Sequence, residues 1–156
     1  MATDLPFIDQ HCRSVAATAE ETWEALTATA TGAFSDDISA RVSRVLGCEH
    51  TEITGEPGAQ GSTVPGFIVV RSERPRELAL AGRHRFSRYL LIFRLEDAPD
   101  GLTLVRAETR ATFPGILGSA YRATVIGTRG HVLATTRILR AIARRAERDG
   151  ASRVAD

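Results

Sequence analysis

At 156 residues, 43% hydrophobic and 25% charged, the chain has the size and composition of one globular domain with a core of its own. The formal net charge is only +1 and every basic side chain is an arginine, so the overall field does not draw the molecule to nucleic acid or to an anionic membrane. Cys12 and Cys48 stand in no CxxC or metal-ligating spacing, and no apolar run approaches the roughly 20 residues that span a bilayer, which excludes a disulfide scaffold, a cysteine metal site and a membrane-spanning helix. The opening MATDLPFIDQ lacks a basic region and an apolar run, so free thiols and a cytoplasmic location are expected.

Residues 11–15 read as a short first strand. Residues 16–30 predict a helix with Thr18 as N-cap, Glu21 as its capping-box partner, Trp23 and Leu26 on one face, and Gly32 as its stop. Ser35 has the character of a second N-cap, with Asp36 and Asp37 in a first turn where the helix dipole favours acids. Ile38, Val42 and Val45 follow at helical spacing until Gly47. Residues 49–54 are expected to form a short strand, and the Gly/Pro-rich 55–66 a loop.

A meander comes next, with strands expected over 67–72, 77–81, 89–96 and 102–113. Alternation places Leu78 and Leu80 on one face of the second, and Tyr89, Leu91, Phe93 and Leu95 on one face of the third. In the last it sets Val105, Ala107, Thr109, Ala111 and Phe113 against Leu104, Arg106, Glu108 and Arg110. DAPDG at 97–101 is a turn signal.

Pro114-Gly115 ends the strands, and the period changes. Over 128–148, Val132, Thr135, Leu139, Ile142, Ala143 and Ala146 form one stripe, opposite Arg137, Arg140, Arg144 and Arg148. Gly127 and Gly130 are placed to loosen or kink the entry to this helix. Residues 150–156 are expected to fray. The whole is one α+β domain over 1–156, with its core over about 11–148, in which about six antiparallel strands pack on a long C-terminal helix.

That order, with PGF at 65–67, LALAGRHRFSRYLLIFRLE at 78–96, AETRATFPG at 107–115 and YRATVIGTRGH at 121–131, resembles the helix-grip, START-like (SRPBCC, polyketide cyclase) superfamily. The local sequence is closer still to a bacterial branch of it. The resemblance implies a curved sheet wrapped on the last helix with a cavity between them. It brings no catalytic motif that transfers residue by residue, because the superfamily houses unrelated activities in one fold. The small Ala107, Thr109 and Ala111 either let the helix approach closely or leave space.

His84, Tyr121 and His131 are the candidate acid–base groups, a histidine in a pocket being able to exchange protons near neutral pH. Taken singly, each histidine is more simply a structural hydrogen-bonding group. Tyr89, Leu91, Phe93, Thr109, Phe113, Tyr121 and Val132 are the expected cavity lining, with His84 at its mouth. Arg88, Arg122 and Arg129 have the geometry to hold a carboxylate or phosphate, although pairing of Arg122 or Arg129 with Glu108 or another acid at the sheet–helix junction is the simpler expectation. Arg106, Glu108 and Arg110 read as a solvated cross-strand charge ladder.

No phosphate loop, dinucleotide fingerprint, nucleophile elbow or HExxH occurs, and no cofactor or metal is expected. Three readings follow. The first is a binding protein for a small apolar or amphipathic molecule. The second is a cyclase- or dehydratase-type enzyme using His84, Tyr121 or His131. The third is a protein-interaction domain with a closed interior. No nucleic-acid partner is expected.

Overall fold

The computed structural model describes residues 4–34, 37–127 and 129–154. Strand β1 (Phe7–Val15) leads into helices α1 (Ala19–Phe34) and α2 (Asp37–Leu46). Strands β2 (Thr63–Val64), β3 (Phe67–Glu73), β4 (Glu77–His84), β5 (Ser87–Asp97) and β6 (Thr103–Thr112) follow, then α3 (Gly115–Val125) and α4 (Gly130–Val154). All six strands form one antiparallel sheet in the order β1-β6-β5-β4-β3-β2.

Register puts the apolar rows on one face. Tyr89, Leu91, Phe93 and Leu95 of β5 lie opposite Ala111, Thr109, Ala107 and Val105 of β6. On the other side Tyr89, Leu91 and Phe93 meet Gly82, Leu80 and Leu78 of β4. Helix α4 covers this face with the stripe that its period predicts. Leu139, Ile142, Ala143 and Ala146 are at most 3% exposed and share a core with Trp23 and Leu26 of α1 and with Phe93 and Leu95. Burying Leu139 or Ile142 contributes about 1.5–3 kcal/mol each.

Two contacts fix α4 along β1. At its start His131 Nε2 lies 2.7 Å from Asp9 Oδ2, and near its end the Ala16 N–H donates to Glu147 Oε1 at 3.2 Å. The capping box at the head of α1 forms as its spacing predicts: Thr18 N–H donates to Glu21 Oε2 at 2.9 Å and Glu21 N–H to Thr18 Oγ1 at 3.3 Å.

Several local expectations are corrected. β1 begins at Phe7, because its early residues pair with β6 and owe their conformation to that partner. Helix α1 runs through Gly32 to Phe34; an adverse propensity of about 1 kcal/mol does not stop a packed helix. Residues 49–54 form no strand. Thr54 makes a single bridge to Thr63, and positive φ at Gly55, Gly58 and Gly61 winds the segment into a loop.

Helix α4 continues to Val154, so the chain after Gly150 stays helical rather than frayed. The break before α4 falls at Arg129, with φ 55°, inside a turn closed by Arg129 N–H donating to Ile126 O at 3.0 Å. The N-cap expected of Ser35, the acid at Asp36, the side chain of Ile38 and the position of Thr128 lie outside the described residues.

Candidate functional site

A cavity of about 390 Å³ separates the first half of α4 from the sheet. Most of its wall comes from α4, the sheet, α2 and α3. Helix α4 contributes His131, Ala134, Thr135 and Ile138, at the i, i+3, i+4, i+7 spacing of one helix face. The sheet contributes Tyr89, Leu91, Thr109 and Ala111. Helix α2 contributes Val42, Ser43 and Leu46, and α3 contributes Tyr121 and Val125. The small residues of β6 thus divide by position: Ala107 is fully buried in the core, while Thr109 and Ala111 leave space.

Five of the nine Phe, Trp and Tyr residues line this cavity. Their rings form a connected belt. Phe34 meets Phe67 at 4.6 Å between centroids, Phe67 meets Tyr89 at 5.2 Å, and Tyr89 meets the His84 ring at 5.5 Å. His84 then meets Tyr121 edge to face at 4.9 Å, and Tyr121 meets Phe113 at 6.4 Å. Such geometries stabilise by more than their buried area alone. In a chain that is only 6% aromatic, this is where most of the rings are found.

The polar groups on the wall differ in their freedom to act. Tyr89 donates its hydroxyl to Gly66 O at 2.7 Å, and Cys48 Sγ stands 3.9 Å from the Tyr89 hydroxyl oxygen. Burial, reinforced by Cys48, pushes the Tyr89 phenol far above its ordinary value. Burial likewise raises Tyr121. His84, 8% exposed, accepts the Phe86 N–H at Nδ1 over 3.1 Å, so its neutral ring carries the proton on Nε2. Burial lowers its pKa, which favours that neutral form.

His131 has both ring nitrogens near acceptors, Nε2 2.7 Å from Asp9 Oδ2 and Nδ1 3.4 Å from Val125 O. Thr109 Oγ1 is buried with no hydrogen-bond partner among the described residues.

Of the residues expected at the site, His84, Tyr89, Leu91, Thr109, Phe113, Tyr121 and His131 line the cavity. Phe93 and Val132 do not. Phe93 shares the inward row of Tyr89, but it lies farther along β5 under the closely packed half of α4 and is 0% exposed. Val132 sits one residue off the helix face that His131 begins.

The charge pairing also differs from expectation. Glu108 binds Arg94, at 2.6 Å, and Arg110, while Arg122 and Arg129 are exposed. Burial alone would raise the Glu108 carboxyl, but Arg94 and Arg110 outweigh it and hold it below the usual carboxylate range. At 7% exposure it is not a solvated rung, although Arg106 with Glu96 at 2.9 Å is one. Helix α2 turns Ser39, Val42, Ser43 and Leu46 to the cavity and leaves Val45 76% exposed, so Val45 is not a core residue.

Sequence reasoning passed over Phe34, Phe67, Cys48 and Ile138, which also line the cavity. Ile138 carried a signal, since it shares the helix face of His131 and Thr135; the others come from separate segments that nothing local links. Sequence reasoning also passed over Asp9 and His11, whose side chains meet at 2.9 Å beside His131. Nothing local in the sequence marks that pair.

No family model matches the chain, and no curated protein matches it. Solved structures do. Truncated norcoclaurine synthase from Thalictrum flavum is similar at a TM-score of 0.57 and 13% identity, over 90% of this chain and 95% of that one. A protein of Mycobacterium smegmatis gives 0.55 and 9%, over 89% and 96%. One from Rhodobacter sphaeroides gives 0.54 and 18%, over 86% and 88%. Identities this low bear on architecture alone. Six antiparallel strands, two helices after the first, and a long C-terminal helix over the sheet give this chain the helix-grip fold that the resemblance implied.

Proposed function

We propose that the protein binds a small, largely apolar molecule carrying one polar group, in the cavity between α4 and the sheet. The observation that carries the reading is the cavity itself: about 390 Å³, belted by aromatic rings, within the range of roughly 300–1,000 Å³ typical of ligand sites. The unpartnered Thr109 Oγ1, the Tyr121 hydroxyl and the Nε2 proton of His84 are the groups suited to fix the polar end. Leaving the buried Thr109 Oγ1 without a partner costs free energy that a bound polar group recovers.

Binding is favoured over catalysis because the titratable groups are largely committed within the protein. Tyr89 donates to Gly66, His131 lies between Asp9 and Val125 O, and the Nδ1 lone pair of His84 is occupied by Phe86 N–H. The acid–base reading retains only His84 Nε2 and Tyr121, whose rings touch.

Titration with an anilinonaphthalene dye tests the proposal. Dye fluorescence should rise saturably with the wild type. Ala134→Trp, which places an indole in the cavity from α4, should abolish the rise while leaving the melting temperature within a few degrees. Equal dye affinity in wild type and Ala134→Trp would refute binding at this place. His84→Ala should keep affinity within a few-fold. A reaction that lost about 10²–10⁴ in turnover with binding intact would instead establish His84 as an acid–base group.

A further inference from the structure

The net charge of +1 conceals a segregation. No acid occurs between Glu108 and Glu147, a stretch that holds seven arginines. Glu49, just after α2, is taken up by Arg83 at 3.4 Å, while a larger group of acids gathers where Glu20 and Glu24 of α1 meet Arg74, at the β3–β4 turn with Glu73 and Glu77, and near Asp97 after β5. By strand register that is the end of the sheet remote from the cavity, since Asp97 pairs with Thr103 while His84 pairs with Ser87.

The cavity end has a different surface, built from three segments in contact. Arg85 N–H donates to Leu46 O at 3.3 Å, and the Arg85 side chain lies over Gly47, where a Cβ would stand 3.1 Å from its Nε. Gly118 of α3 packs on Phe113 and on Phe86 O so closely that an added Cβ would meet the latter at 3.1 Å. The end of α2, the β4–β5 turn and the start of α3 are therefore one continuous edge.

On that edge Val45, Ile116 and Leu117 are 76%, 89% and 70% exposed. Arg41, Arg44, Arg85 and Arg122 are exposed around them and form no ion pair with another described residue. The same two helices, α2 and α3, send Leu46, Tyr121 and Val125 inward to the cavity wall.

We propose that this edge docks on an anionic lipid surface, with Val45, Ile116 and Leu117 entering the interface and the four arginines facing lipid phosphates. Aliphatic tips flanked by long cationic side chains suit the boundary between headgroups and acyl chains, where guanidinium groups stay hydrated while their stems cover apolar surface. Charge complementarity selects the partner: four exposed arginines that form no ion pair with another described residue, against one nearby acid (Glu49) already paired with Arg83, gain from the negative potential of anionic lipid what a neutral bilayer does not supply. A protein partner is less well matched, because the tips lack the aromatic anchors and packed centre of a protein interface. Docking here requires no particular cavity occupant.

Flotation with vesicles of phosphatidylcholine, pure or mixed with phosphatidylglycerol, tests it. The wild type should float with the mixed vesicles, not with the pure ones, and should be released by high salt. Arg44→Glu and Arg85→Glu should each lower the partition coefficient by at least the ~5-fold that one interfacial charge contributes. The double change Ile116→Ser with Leu117→Ser should lower it further, with circular dichroism unchanged. Every altered residue is exposed and outside the cavity wall, so dye binding should stay at the wild-type level; cavity binding and surface docking thus fail independently. Equal flotation with both vesicle types, or no effect of the reversals, overturns the proposal. So does capture by polyglutamate without flotation, which would assign the edge to an acidic protein.

Discussion

Gly82 is the position at which one methyl group decides whether the aromatic belt forms. It lies opposite Tyr89 in the β4–β5 pair, on the inward face. Because it has no side chain, the Tyr89 ring lies across β4 and its hydroxyl reaches Gly66 O at 2.7 Å. A Cβ built on Gly82 stands well inside the van der Waals radii of Gly66 O and of Tyr89 Cε2 and Cζ. The backbone φ of Gly82 is ordinary, so Gly82→Ala is a steric change alone.

Either the ring leaves or β4 parts from the β2–β3 turn. Overpacking of this kind costs about 1–3 kcal/mol. The lost hydrogen bond costs about 0.5–1.5 kcal/mol more. The total of roughly 2–4 kcal/mol should lower the melting temperature by about 4–16 °C for a domain of this size. Gly32→Ala is the matched control. It sits inside α1 with no atom within 4 Å of a built Cβ, and should stabilise by about 0.4–1 kcal/mol through the unfolded chain.

Urea titration of both variants measures the pair, and near-ultraviolet circular dichroism follows Tyr89. A loss under about 1 kcal/mol for Gly82→Ala, or an equal loss for Gly32→Ala, would refute the account.

Two further predictions concern the core and the charge network. Leu139→Ala should cost roughly 2–5 kcal/mol in urea titration, since Leu139 is 3% exposed, while Arg140→Ala on the exposed side should stay within about 0.5 kcal/mol. Glu108 has a folded-state pKa below its unfolded value, so its contribution is complete above about pH 4.3 and is lost as pH falls through that value toward the folded pKa. Glu108→Gln should therefore lower stability at neutral pH by about 1–3 kcal/mol and flatten the acid limb of a stability–pH curve; an acid limb identical to the wild type would exclude the carboxylate as its source.

Features whose physics is local or periodic were legible along the chain. Alternation in β5 and β6 has a period of two wherever those strands pair, so their inward rows were legible without knowing the partner. The stripe of α4 follows from 3.6 residues per turn, and the Thr18–Glu21 box spans three residues. The resemblance of the segments around 78–96 and 107–131 added the fold that joins them. Of the site, that was enough to name Tyr89, Thr109, Phe113 and Tyr121 as neighbours across the sheet and helix.

What the tertiary structure decided is where those rows are covered closely and where they are held apart. Tyr89 and Phe93 are indistinguishable in the pattern, yet one lines the cavity and the other fills the core, because α4 packs tightly over only part of the sheet. Phe34, Phe67, Tyr89, His84 and Tyr121 come from separate segments, so the ring belt exists only after folding. The meeting of Asp9 with His131, and the gathering of exposed arginines around Val45, Ile116 and Leu117, are likewise properties of distance in space. A net charge and a periodicity are sums along the chain, and neither records which residues the fold brings to one end.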